Sequence, residues 1–208
     1  LAAVDSALQN PVGCGTIDSL ADGGGKVCVL VCDITRPVPN GTILPILIGR
    51  LMAAGFEPKD ITLLIATGLH RPNEGEELAE VIGDAWVLNT VNVVNHFAQN
   101  DLEHVYVGAT KSGTSVRLDK RFVEANLKIV TGLVEPHFMA GYSGGRKVIA
   151  PGIAHADTIT TLHNSEFMSH RKTTNCVLEG NPLHAEQLEI ISMIGDAYAV
   201  NTVIDEER

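Results

Sequence analysis

Three short segments carry residue types able to do chemistry. The first, Asp33-Ile-Thr-Arg-Pro37, puts a carboxylate, a hydroxyl and a guanidinium on one tight loop. An Arg36 held by neighbouring Asp33 and stiffened by Pro37 suits planar recognition of a carboxylate or phosphate, and a loop-stabilising ion pair is the plainer reading. The second, Thr67-Gly-Leu-His-Arg-Pro72, sets His70 beside a cation, which resists protonation of the ring and favours a neutral base near neutral pH. The third runs from Glu135-Pro-His137 to Gly141-Tyr-Ser-Gly-Gly-Arg-Lys147, a glycine-rich run ending in two cations. Its backbone amides around Ser143, Gly144 and Gly145 are expected to cradle an anion. The run is neither a P-loop, since Val148 follows the lysine, nor a dinucleotide fingerprint. Lys147 reads as a phosphate binder or as an amine for a covalent link to a cofactor, against the bland alternative of an exposed lysine on a turn.

His137 stands ten residues before Lys147 and His163 sixteen after it. These two are candidates for a shared metal, but without a tight HxxxH or CxxC spacing the pattern is not that of a zinc site. His96 reads as a residue closing a strand, and His104, His155, His170 and His184 as surface or structural residues.

The pattern around these segments predicts what positions them. Val27-Cys-Val-Leu-Val-Cys32 is a continuous apolar run of the kind buried on both faces of a parallel sheet, and Ile61-Thr-Leu-Leu-Ile-Ala66 reads as a second buried strand. Helical spacing over 43–54 and 74–82 follows each in turn. Strand, loop, helix repeated this way specifies βαβ units. A third strand is expected over 91–95, a hairpin over 105–118 broken at 111–114, a helical turn over 122–125 and a strand over 127–134. Helices over 1–9, 156–162 and 182–193 and a last strand over 198–204 complete the pattern, with a flexible turn at 22–25. The fold class is therefore α/β, a Rossmann-like, mostly parallel sheet flanked by helices. In such sheets ligands sit beyond the carboxyl ends of the strands, where Asp33, Arg36, His70, Asn95, His96, Glu135 and His137 fall.

Composition narrows the function classes. The 208 residues hold 15 basic and 25 acidic side chains, a net charge of −10. That argues against non-specific nucleic-acid binding and against an anionic membrane surface. The longest apolar stretch, Ile43 to Ile48, is far short of the roughly 18–20 residues that span a bilayer. With no signal peptide at the start, a cytoplasmic location is expected. Four cysteines are too few for a disulfide framework, and Cys14, Cys28, Cys32 and Cys176 are expected to be buried thiols. Both ends of the chain read as cut, so a domain of something longer is expected.

The motifs Cys32-Asp-Ile-Thr-Arg-Pro-Val-Pro39, Ile65-Ala-Thr-Gly-Leu-His-Arg-Pro72 and Val134-Glu-Pro-His-Phe-Met-Ala-Gly-Tyr-Ser-Gly-Gly-Arg-Lys-Val-Ile-Ala-Pro-Gly152 together resemble the N-terminal domain of the lactate racemase family. They come in family order, and the resemblance covers nearly the whole chain. It implies a cofactor, the nickel-pincer nucleotide (nickel pyridinium-3,5-bisthiocarboxylic acid mononucleotide), tethered through a thioamide by Lys147, with nickel completed by His163. It further implies His70 and His137 as acid/base residues and Arg36, with Asp33, as the group orienting a substrate carboxylate. Thr35, Ser143, Gly144 and Gly145 are implied neighbours of the nucleotide.

The implied reaction is racemisation or epimerisation of a small 2-hydroxy acid by reversible hydride transfer. Implied partners are the substrate, cofactor-synthesis proteins and a C-terminal domain of the same polypeptide, without which this half is expected to be inactive. Two other readings remain at this point: a zinc hydrolase using His70, His137 and His163, and a non-catalytic module binding an anion at 141–147.

Overall fold

A strand buried on both faces needs apolar side chains at every position, and β1 (Val27–Cys32) meets that demand. Its odd-numbered residues Val27, Val29 and Val31 and its even-numbered Cys28 and Leu30 belong to two separate core clusters, one on each face of the sheet. The computed structural model describes residues 2–20 and 24–204. The expectations for Leu1, for the first part of the 22–25 turn and for Asp205–Arg208 lie outside the described residues.

In chain order, α1 (Ala2–Gln9) and α2 (Ile17–Leu20) precede β1, and α3 (Asn40–Ala53), β2 (Ile61–Ala66), α4 (Glu76–Ile82), α5 (Ala85–Thr90) and β3 (Asn92–Asn95) follow it. An antiparallel hairpin of β4 (His104–Ala109) and β5 (Ser115–Asp119) runs into α6 (Lys120–Val123) and β6 (Leu127–Leu133). Next come β7 (Pro136–His137), β8 (Gly141–Tyr142), α7 (Arg146–Ile149), α8 (Ala156–Leu162), α9 (Ser165–Ser169), α10 (Pro182–Ser192) and β9 (Tyr198–Thr202).

The main sheet has the order β3-β2-β1-β6-β9 with every pairing parallel. One face packs Leu44, Leu47, Ile48 and Leu51 of α3 with Val81, Ile82 and Val87 of α4 and α5. The other packs Val148, Ile149, Ile159, Leu162, Leu183 and Ile190 of α7, α8 and α10, together with Val116, Leu118 and Phe122 around the hairpin. The α/β expectation is met, and strand order reverses between β1 and β6, where an open sheet of this kind leaves a crevice.

Several boundaries differ from expectation for local reasons. Helix α4 starts at Glu76 rather than 74 because Gly75 sits at φ 58°, outside the helical region. Helix α5, not expected at all, is too short to show periodicity; Asp84 caps it by accepting a hydrogen bond from the Val87 amide. The segment read as one glycine-rich loop at 141–147 is instead strand β8, a glycine turn and the first residues of α7. The expectation of buried thiols holds for Cys28 but not for Cys14 or Cys176, which are exposed, while Cys32 is half-buried. Cys14 lies between glycines and Cys176 holds a left-handed φ of 60° in a connecting segment, so neither sits on an element that packs.

Asp119 joins the hairpin to the sheet. It is fully buried, accepts from the Arg121 amide at 3.0 Å and pairs with the Arg121 guanidinium. That guanidinium also reaches Glu103 at 2.9 Å and the Asn95 carbonyl at 3.4 Å. Asp119→Ala is expected to cost about 2–3 kcal/mol, because it strands a half-buried cation and removes a cap. A lowered urea midpoint at unchanged slope checks this.

Candidate active site

The loops leaving β1, β2 and β6 converge on one cavity of about 500 Å³, a size suited to a small ligand. Its wall includes Asp33, Thr35 and Arg36 after β1, Thr67 and His70 after β2, and His137, Ser143, Gly144 and Lys147 after β6, with His163 from the end of α8. Of the residues singled out from sequence, Gly145 and the strand-end residues Asn95, His96 and Glu135 are missing from the wall.

Asp33 is buried and organises the first loop. Its Oδ1 accepts from the Thr35 amide at 3.2 Å and the Thr35 hydroxyl at 2.6 Å, and its Oδ2 lies 2.6 Å from Nδ1 of His70. This corrects the expectation that Asp33 holds Arg36. The guanidinium turns instead to Glu135, with Nη1 2.5 Å from Oε1 and both side chains about one-third exposed. The cation expected to act on His70 is also elsewhere, since Arg71 forms a two-pronged pair with Glu77. A carboxylate therefore faces the His70 ring, and sequence adjacency misjudged both partners because the loop turns between neighbours.

Asn73, missed in the sequence, and Asn95, noted there only as a polar residue at a strand end, hold these loops together. Asn73, buried, accepts from the Ile34 amide through Oδ1, while its own amide donates to Asn95 Oδ1 at 2.9 Å. Asn95 Nδ2 returns a bond to the Asn73 carbonyl at 2.9 Å. The loops after β1, β2 and β3 are thus stitched by two amide side chains, for which no sequence pattern exists.

The 136–147 segment is built around close backbone approach. Gly144 has φ +77°, and a Cβ there would come within 2.8 Å of Val134 Cγ2. Two of the three amides expected to cradle an anion are committed elsewhere: Ser143 N donates to the Glu135 carbonyl at 2.9 Å and Gly145 N to Asn201 Oδ1 at 3.0 Å, while the Lys147 and Val148 amides close the first turn of α7. Ser143 is likewise committed, its hydroxyl donating to the Leu133 carbonyl at 2.6 Å and accepting from the Glu135 amide. What the segment does deliver to the cavity is Lys147. Burial, then the neighbouring Arg36, pushes its amine down to about 8, so it gives up its proton far more readily than an ordinary lysine, though the charged form still dominates at pH 7.

The histidines differ sharply in surroundings. His137 is buried, stacks on Phe138 with ring centroids 4.8 Å apart, and accepts at Nδ1 from the amides of Ala140 (3.2 Å) and Met139 (3.4 Å). Burial first, then Lys147 and Arg36, brings it down to about 4. His163 caps the end of α8 and donates from Nδ1 to the Ile159 carbonyl at 2.7 Å, which leaves Nε2 as the free nitrogen. Nearby Cys32 is pushed up to about 11 by burial and Asp33, which removes it as a nucleophile.

The other histidines take no part in the cavity. His96 is buried and its Nε2 lies 3.0 Å from Nε2 of His104, whose ring packs edge-on against His155. This cluster holds the hairpin to the end of β3, a structural role; the three residues are buried rather than at the surface. His170 is exposed and His184 half-buried. Among the described residues, no three or more His, Cys, Asp or Glu side chains gather closely enough to hold a metal, which leaves the three-histidine zinc reading without a ligand set. Nor is any described helix long and apolar enough to cross a membrane.

His96 and His137 are both brought down to about 4, against about 6.5 in an unfolded chain. Between those values the unfolded state binds protons that the native state does not. Stability is therefore fully present above about pH 6.5 and declines as pH falls toward 4. His137→Gln removes one of the two groups and is expected to flatten that slope in urea unfolding; an unchanged slope would contradict the assignment.

Comparison with known proteins agrees with this architecture. The family model described as lactate racemase N-terminal domain matches residues 1–175. The chain is 36% identical over 205 residues to a lactate racemase of Lactiplantibacillus plantarum, covering 99% of this chain and 48% of that protein. It is 37% identical over 202 residues to a lactate racemase of Thermoanaerobacterium thermosaccharolyticum, covering 97% and 47%. It thus spans about half the length of these curated relatives. The solved lactate racemase apoprotein from T. thermosaccharolyticum superposes with a TM-score of 0.90 at 35% identity, over 98% of this chain and 48% of that one. A Thermotoga maritima protein shares the fold with a TM-score of 0.74 at 23% identity, over 91% of this chain and 50% of that one. With its N-terminal-domain match spanning most of the sequence, the chain belongs to the lactate racemase family.

Proposed function

We propose that this chain is the catalytic N-terminal half of a racemase or epimerase of small 2-hydroxy acids, with the nickel-pincer nucleotide as cofactor. The observation that carries the reading is the convergence of His70, His137, Lys147, His163 and Arg36 on one cavity at the strand ends. The chemistry explains why such a cofactor is needed. Taking the α-hydrogen of a hydroxy acid as a proton leaves a poorly stabilised dianion, whereas taking it as hydride leaves a planar keto acid. When bound, the cofactor supplies the hydride acceptor.

The residues fit that group. His163, with Nδ1–H on a backbone carbonyl, keeps the Nε2 lone pair that a metal ligand needs. A single histidine suffices where the cofactor brings the remaining donors, consistent with the absence of any three-residue ligand cluster among the described residues. Lys147, with its amine brought down to about 8, suits a covalent acyl-type link. Arg36 supplies guanidinium donors for the substrate carboxylate, and His70 and His137 handle the hydroxyl proton. Leu69 and Phe138 line the cavity yet are exposed, a surface for the remainder of the polypeptide to cover. In this reading a C-terminal domain closes the site, cofactor-synthesis proteins load it, and the isolated half does not turn over.

The test uses full-length protein coexpressed with cofactor-synthesis proteins. Intact mass is expected to show an adduct that Lys147→Ala abolishes, with racemisation followed by chiral chromatography falling by about 10³-fold or more. His163→Ala should keep the adduct and lose nickel by elemental analysis. Full racemase activity in adduct-free protein would overturn the proposal.

A further inference from the structure

We infer that Glu135 is a positioning residue for the arginine of the cavity: it holds one corner of the Arg36 guanidinium, so that the opposite edge, Nε–H with Nη2–H, is the fork that takes a carboxylate. The meaning of that fork for substrate rests on the proposed racemase reading, whereas the orientation itself does not. A guanidinium meets a carboxylate through two parallel bonds in one of two ways, end-on through Nη1 and Nη2 or side-on through Nε and Nη2. Arg121 meets Asp119 side-on, with Nε on one carboxylate oxygen and Nη2 on the other. Arg36 is held differently. Its Nη1 donates to Oε1 of Glu135 at 2.5 Å, and its Nε and Nη2 donate to no side chain or carbonyl among the described residues. The end-on pair is therefore taken at one corner, and the side-on pair is open. Arg36 belongs to the cavity wall and Glu135 does not, so the hold comes from outside the space a ligand fills. A substrate carboxylate need not displace Glu135 in order to bind.

Both ends of this brace are anchored through their backbones. The Arg36 amide donates to the Asp33 carbonyl at 3.1 Å, and the Arg36 carbonyl accepts from the Val38 amide at 2.8 Å across Pro37. The Glu135 amide donates to the Ser143 hydroxyl at 3.0 Å, and the Glu135 carbonyl accepts from the Ser143 amide at 2.9 Å. Ser143 is buried and its hydroxyl is itself bonded to the Leu133 carbonyl. The pair thus spans the gap between the loop after β1 and the loop after β6 from two fixed points. With both side chains about one-third exposed, it adds little to stability. What it adds is direction. A long arginine side chain without a partner samples many rotamers and loses that freedom on binding, and a guanidinium already held has less to lose.

The experiment measures binding of glycolate, a 2-hydroxy acid without a stereocentre, to full-length cofactor-loaded protein by calorimetry. Glycolamide serves as the probe that lacks the carboxylate. Glu135→Ala and Glu135→Asp both break the reach to Nη1, one without the charge and one with it. Glu135→Gln keeps an oxygen within reach and loses the charge. Glycolate affinity is expected to fall by about 10–100-fold in the Ala and Asp variants, the worth of a charged two-pronged contact, and to stay within about threefold of the parent in the Gln variant. Glycolamide affinity should not move, and in an Arg36→Ala background Glu135→Ala should add no further loss. Nitrogen NMR of the arginine side chains gives a readout independent of any ligand: rotation about the Arg36 Nε–Cζ bond should be slow in the parent and in Glu135→Gln, and fast in the Ala and Asp variants. Tighter glycolate binding in Glu135→Ala would make Glu135 a competitor of the substrate and overturn the inference. Losses that follow charge rather than reach, or an equal loss for glycolamide, would overturn it too. Rotation freed by Glu135→Ala, with glycolate binding that Arg36→Ala leaves untouched, would instead sink the reading of Arg36 as the substrate arginine and leave its orientation by Glu135 standing.

Discussion

Everything at the site depends on one constraint of parallel sheets: all strands release their chains at the same edge. With the order β3-β2-β1-β6-β9, the connections from β1 and β6 depart to opposite faces, and nothing packed in the sheet fills the gap between them. The cavity is that gap. Asp33 and Arg36 border it because they immediately follow β1, His70 because it follows β2, and His137 and Lys147 because they follow β6. The largely apolar, buried side chains of β1 and β2 are what hold the edge in register beneath them.

Within that gap the chain uses one device three times. Each histidine of the cavity has its Nδ1 committed: to a carboxylate at His70, to two amides at His137, to a carbonyl at His163. A ring tied at one nitrogen has a defined tautomer and a defined free nitrogen, which is the difference between a histidine that merely titrates and one with an assigned task. The ties differ in character, so the free nitrogens differ too. That inequality arises from the partners and not from the rings.

The electrostatics of the cavity run against those of the molecule. The chain carries −10 overall, yet Arg36, Lys147 and the adjoining Arg146 crowd one region and depress His137 together. Burial of cations without full pairing is unfavourable, and Lys147 relieves it by giving up its proton more easily. An anionic ligand would relieve it as well, which supports the proposed carboxylate substrate without any dedicated anion loop.

Much of this was legible in the residues alone. Apolar runs of strand length alternating with helical periodicity determined the α/β class, and polar residues just past each run determined which edge holds the site. The motifs around His70, His137 and Lys147 supply residues that line one cavity, since residues close in sequence after a strand must emerge together. Partnerships were another matter. Asp33 was paired with Arg36 on adjacency, but the fold gives Asp33 to His70, 37 residues away, and Arg36 to Glu135, 99 residues away. The glycine run read as an anion cradle, but the Ser143 and Gly145 amides go to the Glu135 carbonyl and to Asn201. The Asn73–Asn95 stitch and the buried His96–His104–His155 cluster left no trace in spacing. The physical reason is range: hydrophobic patterning is written along the chain with a period of a few residues, whereas a hydrogen bond is made by whichever donor and acceptor the packed strands bring within 3 Å.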